Sequence, residues 1–339
     1  MRQVVVSETD AGQRLDKYLH KVLAKAPKGF LYKMLRKKNI TLNEAKAAGS
    51  EKLQPGDRIQ MFLSADTLEK FSASVRGNPG RAQKPGLQPE IIYEDEQILL
   101  LNKPVGLLSQ KSAPQDDSLA DWVWEYLREK MSGQIAPGFS PGICNRLDRN
   151  TSGIVAAGKS VRAQQELSAL FQKRQLGKYY LCPVQGVLKE AGHLRGYLKK
   201  LERENRAVLC ESGQDASAYI ETAYRPLGDN GCLTLLEVEL FTGKTHQIRA
   251  HLAGIGHPLV GDAKYGGSRW GRVCQERWGI RYQMLHAWRL QMPVCLGLLK
   301  DLSQRVFYAG LPASFQDFLQ KEHLEEFMPW KKKSENRLS

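Results

Sequence analysis

Two short stretches carry side chains able to do chemistry. In "NRLDRNTSG" (145–153) a single carboxylate, Asp148, lies between Arg146 and Arg149, just ahead of the apolar "IVAAG". In "TGKTHQIRAHLAGIGHP" (242–258) His246 and Arg249 stand three apart, the spacing that puts both on the exposed side of one helix. A carboxylate held ionised beside a cation can act as a nucleophile or as a base. Taken alone, "LDRNTSG" also describes an Asx turn leading into a strand.

Other chemistries fail on spacing. "GKT" hints at a phosphate loop, but the glycine required five positions before Gly243 is Val238. His246 and His251 are five apart on a helix and diverge, which makes a poor metal pair. No G-x-S-x-G elbow marks a serine hydrolase. Cys144, Cys182, Cys210, Cys232, Cys274 and Cys295 form no C-x-x-C pair, which favours reduced thiols in a cytoplasm over zinc or a disulfide framework. The expectation is chemistry on side chains alone, with no cofactor and no metal.

Several elements must position these groups. "TGK" reads as a turn, Thr245 as the cap of the next helix, and Ile248, Leu252 and Ile255 as its buried stripe, ended by Gly256 and Pro258. "DSLADWVWEYLREKM" predicts an amphipathic helix with Leu119, Trp122, Val123, Tyr126 and Leu127 inward. "VRAQQELSALFQKRQL" predicts another, "KYYLCPVQGVL" a strand, and "CLTLLEVEL" a strand with Leu236, Val238 and Leu240 on one face. Strands and helices do not alternate regularly, so the fold class is α+β on a largely antiparallel mixed sheet with flanking helices.

The chain of 339 residues has room for about two domains. Its 50 Lys and Arg against 36 Asp and Glu give a net charge of +14, which points to a polyanion partner. No apolar run is long enough to span a bilayer, and the N-terminus has no secretory pattern, so no membrane role is expected. Residues 1–64 hold 13 of the basic residues against 6 acidic ones. There "PKGFLYKMLRKKNI" predicts a helix with Phe30, Leu31, Met34 and Leu35 inward. Lys33, Arg36 and Lys37 lie opposite, and Lys28 and Lys38 add charge with no acidic residue among them. Such a face is either merely solvated or contacts RNA; the charge of the whole chain favours RNA. "ITLNE" and "LQPGDRIQMFL" read as strands with turns, and the Gly- and Pro-rich 74–90 as a linker.

"NRLDRNTSG" resembles the signature of the RluA-type pseudouridine synthases, usually His-Arg-Leu-Asp followed by Thr-Ser-Gly. "NKPVGLL", "GKYYLCPVQG", "TGKTHQIRAHLAGIGHPLVGDAKYG" and "LHAWRL" resemble the family's other blocks, in the same order. "GQRLDKYL" through "LQPGDRIQMF" is similar to an S4 RNA-binding domain, and the resemblance runs from about residue 12 to 293. It implies an S4-like domain over 1–66, a linker over 67–88, a catalytic domain over 89–329 and a basic tail over 330–339.

The implied activity is isomerisation of uridine to pseudouridine, most often in large-subunit ribosomal RNA, by a cytoplasmic enzyme taken as a monomer. Asp148 matches the family's catalytic aspartate, Arg249 its ion-pair partner and Tyr180 the active-site tyrosine. Arg146 matches the arginine that enters the RNA, and Leu285 a pocket-lining apolar position. Lys103 and Lys244 are expected near phosphate. Asn145 replaces the usual His, which predicts an altered loop position, and Ser109-Gln110 replaces a small residue followed by His. A non-catalytic ribosome-assembly factor of the same fold is the alternative function, and a base-excising glycosylase a third.

Overall fold

The computed structural model describes residues 1–329 apart from 9, 73–86, 114, 131–138, 140, 202–205 and 211–216. Most of the expected linker and the whole basic tail lie outside the described residues. At the N-terminus, β1 (Arg2–Val5), α1 (Leu15–Val22), α2 (Lys28–Arg36), β2 (Ile40–Leu42), β3 (Ala45–Lys46), β4 (Arg58–Met61) and α3 (Ala65–Phe71) follow in order. The strands form a four-stranded sheet, β1-β4-β2-β3. Leu31, Met34 and Leu35 of α2 join Leu15, Leu19 and Ile59 in a core of their own. On the other side of α2, Lys28, Lys33, Arg36, Lys37 and Lys38 are exposed, and none is paired with a carboxylate among the described residues.

The rest builds one large sheet. Its elements are β5 (Glu90–Glu94), β6 (Ile98–Lys103), α4 (Leu119–Lys130), β7 (Gly142–Ile143), β8 (Ser152–Gly158), α5 (Val161–Gln172), β9 (Gly177–Gln185) and β10 (Gly192–Leu201). Then come β11 (Arg206–Cys210), β12 (Ser217–Asp229), β13 (Leu233–Leu240), α6 (Gln247–Gly254), α7 (Ala263–Trp278), β14 (His286–Gln291), β15 (Val306–Tyr308) and α8 (Ala313–Lys321). The strand order is β11-β10-β12-β13-β9-β14-β8-β6-β5, with β15 on β14 and β7 on β8. Every described pairing is antiparallel except β14 with β8. The α+β class on a largely antiparallel sheet is therefore what the chain adopts.

Helices cover both faces, so β8 and β13 are buried along most of their length rather than at alternate residues. Leu236, Val238 and Leu240 of β13 enter the core shared with α4 and α6. Leu233 and Leu235 of the same strand enter a second core, against α7 and α8. In α4, Leu119, Val123 and Leu127 are fully buried, each contributing roughly 1.5–3 kcal/mol. Trp122 and Tyr126 flank that stripe, stacked on each other with ring centroids 4.9 Å apart.

One register row fixes the centre of the sheet. Gly153 of β8 pairs with Ala287 of β14, Ala287 with Tyr180 of β9, and Tyr180 with Val238 of β13. Gly153 has φ +110°, and a Cβ there would lie 2.2 Å from the Ala287 carbonyl oxygen. Only glycine permits this close approach.

Candidate active site

The segment 145–151 enters β8 at the end of that row, and side chains from distant parts of the chain tie it down. Lys103 is completely buried, and its Nζ donates to the carbonyls of Pro104 (3.0 Å), Leu107 (2.8 Å) and Arg149 (3.0 Å). Burial pushes its pKa down to about 7, while the Asp148 charge pushes it up. Three carbonyl acceptors call for three N–H donors, which only the ammonium form has. The expectation that Lys103 meets phosphate is thus corrected: it is an internal clamp on the Asp148 segment.

Ser109 is a second clamp. Its buried hydroxyl donates to the Leu147 carbonyl (2.7 Å) and accepts from the Leu147 N–H (3.0 Å), fixing the residue before Asp148. This accounts for the serine after "GLL", which the sequence left unexplained. Asn145 accepts from the Ala156 N–H (2.9 Å) and donates to the Ile154 carbonyl (3.2 Å), so its amide ties the segment to β8. Thr151 N–H closes a turn on the Asp148 carbonyl at 3.0 Å.

Neither flanking arginine pairs with Asp148 among the described residues. Arg149 donates to the Gly106 carbonyl (3.1 Å), and Arg146 is exposed beside the cleft. The cationic neighbour comes from α6 instead. Arg249 Nη1 lies 3.8 Å, and His246 Nε2 3.7 Å, from the same oxygen, Oδ2 of Asp148. Asp148 itself keeps 27% of its side chain exposed.

The start of α6 differs from the expected capped turn. Thr245 caps nothing; His246 is the N-cap residue, in the left-handed region at φ 59°, ψ 16°, with no side-chain cap. Gln247 does the anchoring, its Oε1 accepting from the Thr242 hydroxyl (2.7 Å) and its Nε2 donating to the Glu221 carbonyl (2.9 Å). His246 and Arg249 do not lie on an exposed side. Every residue from Gln247 to Leu252 is buried, whereas Ile255, expected in the buried stripe, is exposed.

Arg249 is 6% exposed and held by a residue not singled out from the sequence. Its Nε and Nη2 donate to the two oxygens of buried Asp262 at 2.7 and 2.8 Å. Asp262 in turn accepts from the N–H groups of Lys264 and Tyr265, capping α7. Burial works against the charge on Arg249, but the Asp262 hydrogen bonds and charge, with that of Asp148, raise its pKa above the ordinary value. The fork is spent on Asp262, leaving Nη1 to face Asp148.

Tyr180 is buried at the floor, and burial together with the Asp148 charge raises its pKa, so the phenol keeps its proton. Leu285 reaches the same place from the position just before β14. Asp148, Tyr180, Arg249, Arg146, Leu285 and Lys244 all line one cleft of about 690 Å³, within the range of small-ligand sites. Among the described residues no group of three or more His, Cys, Asp or Glu is arranged to hold a metal ion. No helix there is long and apolar enough to cross a membrane.

The cleft thus holds one carboxylate, Asp148, beside a buried guanidinium. Residues 97–254 match the family described as RNA pseudouridylate synthase. The ribosomal large subunit pseudouridine synthase C of Vibrio parahaemolyticus is 30% identical over 286 residues, spanning 84% of this chain and 86% of that one. The ribosomal large subunit pseudouridine synthase D of Nitrosomonas europaea is 29% identical over 295 residues, spanning 86% and 80%. The solved structure titled human RNA pseudouridylate synthase domain containing 4 shares the fold, with a TM-score of 0.56 over 69% of this chain and 92% of that one, at 22% identity. The chain belongs to the RNA pseudouridylate synthase family, whose reaction isomerises uridine in RNA.

Proposed function

We propose that the protein makes pseudouridine in large-subunit ribosomal RNA, with the Asp148 carboxylate acting on a flipped-out uridine. In this isomerisation the C1′–N1 bond breaks, a C1′–C5 bond forms, N1 gains a proton and C5 loses one. No electrons are gained or lost, which suits a site that relies on side chains. The observation that carries the reading is the convergence of half-exposed Asp148, buried Arg249 and buried Tyr180 on one cleft.

A stacked uridine cannot present its C1′–N1 bond to a carboxylate, so it leaves the helix at a cost of a few kcal/mol. Exposed Arg146 at the cleft rim suits the space that base vacates. The ring of Tyr180 stacks on the uracil, its protonated hydroxyl available as a hydrogen-bond donor, and Leu285 packs against the base. Residues 1–66 form the S4-like RNA-binding domain and 89–329 the catalytic domain. Lys33, Arg36, Lys37 and Lys38, exposed and without a carboxylate partner among the described residues, contact phosphates, and so does Lys244 at the cleft rim. Ribosomal RNA as substrate, suggested by the relatives' names, fits a cytoplasmic protein, and we take it to act as a monomer.

Site-resolved pseudouridine mapping of ribosomal RNA in cells with and without the protein tests this reading. At least one large-subunit site disappears without it, and Asp148→Ala does not restore that site. An unchanged map with defective subunits would instead indicate an assembly factor.

A further inference from the structure

The His246 side chain, 9% exposed, lies beside the Asp148 carboxylate and has no part in the mechanism above. Its ring is fixed from behind. Nδ1 lies 3.0 Å from the Tyr265 hydroxyl, with the two rings meeting edge to face. That hydroxyl accepts the Ala207 N–H at 2.9 Å, which leaves its own proton to be donated, and Nδ1 is the acceptor in reach. An imidazole that accepts at Nδ1 carries its proton on Nε2. Nε2 faces Asp148 Oδ2 at 3.7 Å, the oxygen that Arg249 Nη1 also approaches. Burial lowers the His246 pKa, so the ring presents this N–H as a neutral donor at neutral pH. The left-handed backbone at His246 is a strained conformation for a residue with a Cβ, kept where the surrounding structure enforces it.

We propose that His246, locked in one tautomer by Tyr265, is a positioning residue: with Arg249 it engages one oxygen of Asp148 and leaves the other to meet the nucleotide. A carboxylate otherwise turns about a broad, two-fold torsion and presents either oxygen. Two donors from α6 on the same oxygen remove that freedom. The gaps of 3.7 and 3.8 Å exceed hydrogen-bond length and close when a bound nucleotide excludes water, as contacts of this kind tighten on substrate binding. The proposal rests on Asp148 acting on the nucleotide.

The test uses the full-length enzyme and a large-subunit ribosomal RNA transcript tritiated at uridine C5. His246→Ala lowers kcat about 10- to 100-fold, less than the roughly 100- to 1000-fold of losing a donor that meets the reacting atoms themselves, with KM changed less than about 2-fold. His246→Gln restores an N–H donor and recovers most of that loss. His246→Asn, a residue type at ease in the left-handed region, folds like wild type yet is too short to reach and stays slow. Tyr265→Phe frees the tautomer and lowers kcat about 3- to 10-fold at unchanged RNA affinity. Asp148→Ala, run alongside, separates the two claims. If that variant is active, the role of Asp148 fails and this proposal with it. If it is inactive while His246→Ala or His246→Asn turns over like wild type, the positioning role alone is overturned. Equal loss in His246→Gln and His246→Ala also overturns it, since a spatial role without a donor would explain both.

Discussion

Replacing Asp262 tests whether Arg249 is aimed by a partner remote from the reaction. Asp262 is 1% exposed and binds both Nε and Nη2 of a guanidinium that is itself buried. Breaking such a pair by removing one member costs about 3–5 kcal/mol, because the remaining charge is stranded. Asp262 also caps α7, and losing a cap costs about 1 kcal/mol more. Asp262→Ala should therefore lose about 4–6 kcal/mol, close to the whole net stability of many domains, and melt roughly 10–20 °C lower. Asp262→Asn keeps a capping oxygen and one acceptor for Arg249, so its loss should be about 2–3 kcal/mol. Trp270 and Trp278 meet at 5.9 Å on the helix that Asp262 caps, which makes intrinsic fluorescence a direct reporter of the melt. In the folded range, Asp262→Asn should also turn over about 10-fold or more slowly, the Nη1 of Arg249 no longer held firmly toward Asp148. Unfolding within about 0.5 kcal/mol of wild type, with unchanged kcat, would refute this reasoning.

Three further outcomes follow from the geometry. Ser109→Ala strands the buried N–H and carbonyl of Leu147, so urea unfolding should show a loss of about 1–3 kcal/mol, with reduced kcat because Asp148 is the next residue. His286 is fully buried between the Ser152 hydroxyl and the Ala309 carbonyl, and burial lowers its pKa from 6.5 to about 4. The unfolded chain thus binds a proton that the fold excludes. The stability concerned is complete above pH 6.5 and is lost as pH falls toward 4, up to about 3 kcal/mol; in His286→Gln the pH dependence of unfolding should be shallower by one proton. Replacing Lys33, Arg36 and Lys37 together by Ala should weaken RNA binding and flatten the log–log salt slope by about 2, in a filter-binding titration, while release of label from a short RNA stays unchanged.

Much of the candidate site was legible because its parts sit in short blocks of the sequence. Asp148, Arg249, Tyr180 and Leu285 come from four such blocks, and the fold gathers them on one cleft. What stayed hidden depends on distance and burial. Lysine is by default an exposed residue, so nothing in "NKP" announces an internal ammonium bound to three carbonyls. Asp262 has a local signal, an acidic residue opening a helix, but nothing in the sequence links it to a guanidinium 13 residues earlier. The α6 turn was misjudged because Thr245 suits an N-cap, whereas long-range bonds from Gln247 to Thr242 and Glu221 decide the backbone. The strand β13 was expected to bury one face; helices on both sides of the sheet bury two.

Tritium release from 5-labelled uridine RNA by Asp148→Asn bears most directly on the central claim. The amide keeps the size of the side chain and removes only its charge. With RNA saturating and affinity within about 2-fold of wild type, the variant should release no label beyond an enzyme-free control. Release at even a tenth of the wild-type rate would mean that the carboxylate beside Arg249 does not carry the reaction.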